Sequence, residues 1–233
     1  MNKLPPARTI LKEEYARAKQ SFRAFLPYVV PMALFLIVLM GLSGLMETDQ
    51  KSVLSYYVVV EVLFILYSLY VTVVLPRLAF GILNGHQPGR EALHHKLLWT
   101  IVLYLGLGVV MLAVLGVSAL FFLFPAVILG TLYFAATFEL VIEGKGVHES
   151  LASSVRMIAG RKWNTFATLF LCVLGVVVPL YIVYGVAFMI FRGILGDGPA
   201  MMWLLSVVYG LLFLLITPWL QMVYVRVYKE LRA

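Results

Sequence analysis

The chain has 233 residues, of which 63% are hydrophobic and only 12% are charged, and its formal net charge is +7. Soluble globular domains carry about 25% charged residues, so the composition excludes that class and indicates an integral membrane protein. Several apolar stretches reach the ~20 residues that a helix needs to cross a bilayer, and none shows the alternation of a membrane β-barrel. The predicted fold class is therefore an all-α integral membrane protein.

The N-terminal segment is predicted to form an amphipathic interfacial helix over residues 8–24. Its apolar stripe consists of Leu11, Tyr15, Ala18, Phe22 and Phe25. The basic residues Arg17, Lys19 and Arg23 fall on other faces, so we expect them to contact lipid phosphates. Because a long polar and amphipathic segment precedes the first apolar run, we expect no cleavable signal peptide.

Six apolar segments follow, and each is long enough to cross a membrane as a helix. These predicted spans are Phe25–Met46, Val53–Pro76, Leu97–Leu115, Ala119–Val141, Phe166–Phe191 and Met201–Val225. The third and fourth are separated by no charged residue. We expect a tight turn near Gly116 to Ser118, since one unbroken helix would be far too long for a bilayer.

The basic residues indicate the orientation of the spans. Of the 18 Lys and Arg, six precede span one, three lie between spans two and three, four between spans four and five, and three follow span six. Only Lys51 and Arg192 lie on the opposite side. The positive-inside rule therefore places both termini in the cytoplasm. The net charge reflects this topology and an attraction to anionic lipid, so no nucleic acid is expected as a partner.

Two polar segments of the sequence match each other. They read NGHQPGREALHHKLLW at 84–99 and EGKGVHESLASSVRMI at 143–158, and the match aligns Glu91 with Glu149 and Leu93 with Leu151. Each segment turns on glycine and then begins an amphipathic helix that leads into a span. The apolar stripe of the second helix is Val147, Leu151, Val155 and Ile158. Basic candidates for contacts with lipid phosphates in these segments are Arg90, Lys96, Arg156, Arg161 and Lys162.

Together with the N-terminal helix, these segments predict a three-fold repeat of one interfacial helix followed by two spans. We expect a single membrane domain over residues 1–233. Spans one and two occupy 25–83, an interfacial helix with spans three and four occupies 84–143, and an interfacial helix with spans five and six and a cytoplasmic tail occupies 144–233.

The run from Pro125 to Phe166, with its turn at Glu143 to Gly146 and its GRKW sequence at Gly160 to Trp163, carries a resemblance to a known family. Together with TPWLQMVYVRVYKELR at Thr217 to Arg232, it resembles the six-span membrane domain associated with some bacterial glycerophosphoryl diester phosphodiesterases. It is similar also to stand-alone proteins of the bacterial plasma (inner) membrane, so the resemblance implies that location.

The resemblance covers the second half of the chain by motif and the first half only by topology. It does not imply phosphodiester hydrolysis. The catalytic unit of those fusion proteins is a separate soluble barrel that uses acidic metal ligands and histidines, and six spans leave no room for one here. Since the family has no agreed activity, the resemblance bears on fold more than on function.

Three charged residues approach or enter the hydrocarbon, namely Glu61, Arg77 and Glu139. A charge at mid-bilayer costs at least about 2.5 kcal/mol, so such residues normally have a partner. The repeat offset aligns Arg77 with a position one helical turn from Glu139, which predicts an ion pair between them. The alternative is that both extend to the cytoplasmic interface. Glu61 is either a protonatable group in a transport path or a neutral carboxyl hydrogen-bonded to a Tyr or Ser of a neighbouring helix.

No catalytic site, metal site or cofactor is predicted. The four histidines, His86, His94, His95 and His148, lie in polar segments without a constrained ligand spacing, so they are interpreted as interfacial residues. The GLSG sequence at Gly41 to Gly44 matches the serine pattern of rhomboid proteases. Because no intramembrane histidine is available as a base, we expect these small residues to permit close helix packing instead. Cys172 is expected to be an apolar packing residue.

These observations favour a non-enzymatic protein that is a scaffold, accessory or regulatory subunit of a membrane partner. Its expected partners are membrane lipids and either another membrane protein or a second copy of the chain. An alternative is a small transporter or lipid-handling protein with a polar path lined by Glu61, Arg77 and Glu139. An enzyme that acts on lipid headgroups is a third hypothesis.

Overall fold

The computed structural model describes the backbone of residues 4–46, 50–121, 123–160 and 162–232, and the side chains of these ranges except 50–52, 116–121, 123–128 and 162. Throughout these ranges the regular structure is α-helical, without strands. The helices are α1 (Ala7–Gln20), α2 (Phe22–Met46), α3 (Gln50–Leu83), α4 (Arg90–His94), α5 (Leu97–Phe121), α6 (Leu123–Glu143), α7 (Val147–Ile158), α8 (Lys162–Leu195) and α9 (Pro199–Arg232).

Five helical segments are long and apolar enough to cross a membrane, so the protein is a multi-pass membrane protein. They are Phe22–Met46, Val53–Leu83, Arg90–Leu115, Trp163–Leu195 and Pro199–Arg232. The helix α6 occupies most of the predicted fourth span but is not one of these five segments.

The turn predicted near Gly116 to Ser118 is wrong. These residues are helical, α5 continues to Phe121, and α6 begins at Leu123. A glycine or serine in an apolar segment does not break a helix by itself, because hydrocarbon offers the freed backbone groups no other partner. Pro125 lies in the first turn of α6, where its missing N–H group is not needed.

Glycines allow α2 and α9 to pack closely against each other. A Cβ added at Gly44 would lie 2.7 Å from the Cβ of Met202, and one added at Gly210 would lie 2.5 Å from the Cγ1 of Ile37. Gly41 has the same relation to the ring of Trp203. The prediction that the GLSG sequence permits close helix packing is therefore confirmed.

The face by which α1 docks differs from the predicted stripe. The buried residues of α1 are Ile10, Glu14 and Ala18, whereas Tyr15 is 57% exposed. The helix packs against α8 and α9 instead of standing alone, so its position in the bundle decides which face is buried. The predicted single helix over 8–24 is also wrong at its end, because α1 ends before Ser21 and Arg23 belongs to α2.

The stripe predicted for α7 is correct at Ile158, which is buried, and wrong at Val155, which is half exposed. Ser150 and Ser154 are buried in its place. Small side chains let α7 lie close to α6, so packing distance outweighed hydrophobicity in choosing this face.

Candidate functional site

The polar side chains of the bundle gather at the end where α3, α6 and α9 terminate. Two glycine turns shape this end, because Gly85 after α3 and Gly144 after α6 have φ angles of +82° and +71°. An L side chain rarely adopts that backbone conformation. The turns are followed by α4 and α7, whose N-cap residues Gly89 and Gly146 are both extended.

Glu139 lies at the centre of a buried network, with 1% of its surface exposed. Its Oε1 atom accepts a hydrogen bond of 2.8 Å from the hydroxyl of Tyr228, and its Oε2 atom accepts one of 3.0 Å from Ser153. The ammonium of Lys145 forms an ion pair with the same Oε2 atom. The network joins α6, α7, α9 and the turn before α7, and a carboxylate with three donors is well satisfied.

Arg77 has different partners, so the predicted Arg77–Glu139 ion pair is wrong. Its Nε atom donates to the carbonyl of Val141 at 2.8 Å, and its Nη1 atom donates to the carbonyls of Leu93 and His95 at 2.9 Å each. Its Nη2 atom donates to the Oγ1 atom of Thr100 at 3.0 Å. These carbonyls include two at the C-terminal end of α4, which lack partners within that helix.

The short helix α4 is held to α3 by a second contact. The Nδ1 atom of His94 lies 2.7 Å from the carbonyl of Arg90, and its Nε2 atom lies 2.9 Å from the hydroxyl of Tyr70. Since a carbonyl only accepts, the proton resides on Nδ1 and the phenol donates to Nε2. The rings of Tyr70 and His94 also stack, so His94 is a structural residue of this contact.

Side chains at the end of α9 contact residues next to the two glycine turns. Lys229 donates a hydrogen bond of 2.7 Å to Oδ1 of Asn84, and Arg232 forms an ion pair with Glu143. The ends of α3, α6 and α9 therefore lie together on one side of the bundle.

Glu61 is exposed on the half of α3 remote from that polar end. Its neighbours along the helix are apolar and exposed as well, including Val58, Val62 and Ile65. Within the described residues, its carboxyl group has no hydrogen-bond or ion-pair partner. The structure thus brings none of Glu61, Arg77 and Glu139 together, since each has a separate environment.

The candidate phosphate-binding residues are distributed over this end. Those described with an exposed position are Lys19, Arg23, Arg90, Lys96 and Arg156. Arg17 is only partly exposed, because it forms an ion pair of 2.7 Å with Glu14. Arg161 lies outside the described residues, and so does the side chain of Lys162.

Sequence reasoning missed Glu14, which is fully buried between α1 and α9. Its Oε2 atom has no hydrogen-bond partner among the described residues. Burial raises the pKa of Glu14 above its ordinary value, while the positive charges of Arg17 and Arg226 oppose the shift. A signal was available, because Glu14 lies one turn from both Ile10 and Ala18 on the same side of the helix.

Sequence reasoning also missed the partners of Glu139. Lys145 lies six residues beyond Glu139, just across the Gly144 turn, and its position was a usable signal. No such signal existed for Tyr228, because no local pattern specifies which tyrosine of α9 faces α6.

Among the described residues, no group of three or more His, Cys, Asp or Glu is arranged to hold a metal ion. The polar groups of this end instead cap helices and join them. No protein-family model, curated protein or solved structure matches this chain.

Proposed function

We propose that the chain is a non-enzymatic scaffold or accessory subunit of a bacterial inner membrane, which binds another membrane protein through the exposed half of α3. The observation that carries the proposal is the carboxyl group of Glu61, which is exposed on an apolar helix surface without a partner among the described residues. In hydrocarbon such a group is costly, and ionisable residues there normally pair with another group. A partner helix that donates to this carboxyl removes the cost.

The surface around Glu61 fits a helix. Leu54, Val58, Glu61 and Ile65 follow the i, i+4, i+7, i+11 spacing of one helical stripe, and all four are exposed. A second membrane helix packed along this stripe would meet apolar side chains on both sides of one polar contact. Hydrogen bonds of this kind contribute to helix association in membranes, where the hydrophobic effect between helices is absent.

Charge complementarity favours another protein over a second copy of the chain. A two-fold axis along the membrane normal keeps each residue at its own depth, so Glu61 would face Glu61 or its neighbours. The basic residues of this half are Lys51 and Arg192. Lys51 lies about 15 Å from Glu61 along α3, and Arg192 is engaged with Asp197 at 3.0 Å. The partner is therefore expected to carry Lys, Arg or a neutral donor at the depth of Glu61.

The proposal includes six spans, with α6 as the sixth, arranged as three units of a short helix followed by two long ones, and both termini in the cytoplasm. The element order supports the units, because α1, α4 and α7 each precede two long helices. The shared location of the ends of α3, α6 and α9 supports one common orientation. We also propose that the chain belongs to the wider membrane-domain family that its sequence resembles.

Site-specific photocrosslinking tests the partner. A photoreactive residue at Val58 is expected to yield an adduct with another membrane protein, whereas the same residue at Val109 on the exposed face of α5 serves as a matched control. The crosslinked peptide should belong to a membrane helix with a hydrogen-bond donor at the crosslink depth. Glu61→Leu should abolish the adduct, and Glu61→Gln should retain part of it.

Since Glu61 is exposed, neither substitution should lower the unfolding temperature of the purified protein. Adducts with lipid alone, or equal adducts from both positions, would refute the proposal. An adduct of twice the chain's mass would replace the partner by a second copy.

A further inference from the structure

A cavity lies at the polar end of the bundle; Arg77 lines it, whereas the residues of the Glu139 network do not. It has a volume of about 440 Å³ and is bounded by the ends of α3 and α6 and by the start of α5. The lining residues that matter for its chemistry are Arg77, His86, Lys96, Trp99, Thr100 and Glu143. Trp99 is 61% exposed, so the cavity opens to the surface beside an indole ring.

The charge of this cavity is net positive, because its lining contains the cations Arg77 and Lys96 and one carboxylate, that of Glu143. All the described acceptors of Arg77 are neutral, being three carbonyls and the hydroxyl of Thr100. Glu143 is the acidic residue of the lining, and it is engaged with Arg232. The ammonium of Lys96 has no hydrogen-bond or ion-pair partner among the described residues. Two cations thus face one cavity without a free carboxylate.

The backbone of Lys96 supports a binding role for its side chain. Its φ angle of +48° makes it the one residue other than glycine with a positive φ in the described part of the chain. Lys96 lies two residues beyond the end of α4, and the residue at the same distance beyond the end of α7 is Gly160, with φ of +77°. The C-cap residues that follow α4 and α7, His95 and Ala159, also have nearly the same backbone angles.

A lysine at a position that favours glycine costs free energy, because the Cβ atom crowds the backbone. Non-glycine residues with such strain cluster at binding sites, where the surrounding structure holds them in place. Here the strained residue directs an unpaired cation to the rim of a basic cavity.

We infer that this cavity binds the phosphate group of an anionic phospholipid, through Lys96 and the remaining donor capacity of Arg77. The exposed surface of α5 next to the cavity indicates that this phosphate belongs to a membrane lipid. An exposed apolar stripe begins on α5 at Trp99, which lines the cavity, and continues with Val102, Gly106, Val109 and Ala113. Acyl chains can lie along this stripe while the headgroup occupies the cavity, and Trp99 has the amphipathic ring that is typical of the interface between them.

The inference does not depend on the partner proposed for Glu61, because the two sites lie on opposite halves of the bundle. A tethered phosphate is favoured over a soluble one by the continuity of the basic cavity with an apolar surface. A lysine ammonium and a guanidinium are the usual donors to a phosphate oxygen.

Native mass spectrometry of the purified protein tests this site with defined probes. The protein is mixed with dioleoyl phosphatidylglycerol, with dioleoyl phosphatidylcholine or with inorganic phosphate. We expect preferential retention of phosphatidylglycerol, and about ten-fold weaker retention in Lys96→Gly, since one charge-assisted hydrogen bond is lost. Lys12→Gln removes one exposed positive charge from α1, outside the lining of the cavity, and should leave retention unchanged.

The unfolding temperatures of the same variants show whether a loss of lipid reflects a folding defect. Lys96→Gly suits the positive φ angle, so its unfolding temperature should equal or exceed that of the wild type. Lys96→Asn, a second residue type that tolerates this conformation, should reproduce the loss of lipid. Equal loss from Lys96→Gly and Lys12→Gln would overturn the inference, as would equal retention of both lipids. Inorganic phosphate bound as tightly as the lipid would overturn the assignment to a membrane source.

Discussion

The hydroxyl of Tyr228 donates a hydrogen bond of 2.8 Å to Oε1 of Glu139, across 89 residues of sequence. The ring of Tyr228 also stacks on Phe138, with centroids 5.5 Å apart. One aromatic residue of α9 therefore makes both an apolar and a polar contact with α6.

Tyr228→Phe is expected to lower the free energy of unfolding by about 1–3 kcal/mol, because it leaves one oxygen of a buried carboxylate without its donor. The ring stacking is retained, so the loss reports the hydroxyl alone. Unfolding in mild detergent, followed by circular dichroism, measures the change. Tyr181→Phe removes a hydroxyl from an exposed ring of α8 and should change stability little. Equal effects in both variants would show that the Glu139 contact contributes nothing.

Lys145 and Glu139 are expected to be coupled energetically. Lys145→Met leaves the Glu139 carboxylate without its ion-pair partner. Glu139→Gln likewise leaves the Lys145 ammonium without its ion-pair partner. The double variant should be more stable than the sum of the two single effects implies, by about 0.5–3 kcal/mol. The same unfolding assay on all four proteins gives this coupling, and strict additivity would contradict the ion pair.

Stability is expected to depend on the ionisation of Glu14. Because burial raises its pKa in the folded state, the folded protein binds a proton more tightly than the unfolded chain at this residue. The resulting stabilisation is fully present below the unfolded pKa, near 4.5, and is lost as pH rises through the folded pKa. The charged groups that face Glu14 are Arg17 and Glu13 on α1 and Arg226 on α9.

Glu14→Gln should remove this component of the pH dependence and should be more stable than the wild type at neutral pH. Unfolding midpoints measured from below pH 4.5 to neutrality test the prediction. Glu149→Gln changes the same charge at an exposed position of α7, away from the charged groups that face Glu14, and should keep the wild-type slope. A Glu14→Gln curve parallel to the wild type at every pH would contradict the role of Glu14.

Gly210 is expected to resist any larger side chain. A Cβ atom there would lie 2.5 Å from Ile37 and 3.2 Å from the carbonyl oxygen of Ala33. Gly210→Ala should therefore destabilise the protein by about 1–3 kcal/mol. Gly185 lies in α8 with no atom within 4 Å of an added Cβ, so Gly185→Ala should be stabilising by about 0.5–1 kcal/mol. Opposite signs for the two substitutions are the expected outcome; a harmless Gly210→Ala would contradict the close contact of α2 and α9.

Cysteine labelling tests the proposed orientation. In a Cys172→Ser background, Gln87→Cys and His148→Cys should react with an impermeant maleimide only after the cells are permeabilised. Asp197→Cys, in the turn between α8 and α9, should react in intact cells. All three residues are exposed, so accessibility to water is not limiting. The reverse labelling pattern would invert the topology.

The long helices were predictable because their signal is local. Runs of apolar residues such as Phe25–Met46 specify a membrane helix by length and composition alone. The glycine turns at Gly85 and Gly144 were predictable for the same reason, since the residue type meets the conformational requirement.

The partners of the polar residues were not predictable in the same way. The pairing of Glu139 with Lys145 and Tyr228, in place of Arg77, depends on the rotation of α6 and α9 about their axes. Hydrophobic periodicity does not specify this rotation when a helix is apolar on all sides. The local pattern of α1 places Glu14 on one side with Ile10 and Ala18, but the burial of that side depends on where α1 crosses α9.

The contact between Tyr228 and Glu139 has a consequence for biosynthesis. Because α6 is synthesised before α9, Glu139 is first accommodated with only Lys145 and Ser153, which lie close to it in the sequence. The third donor arrives with α9, which also brings the glycine contact to α2 and the cap on the turn after α3. The earlier helices are therefore inserted before the complete bundle can assemble, because assembly requires the synthesis of α9.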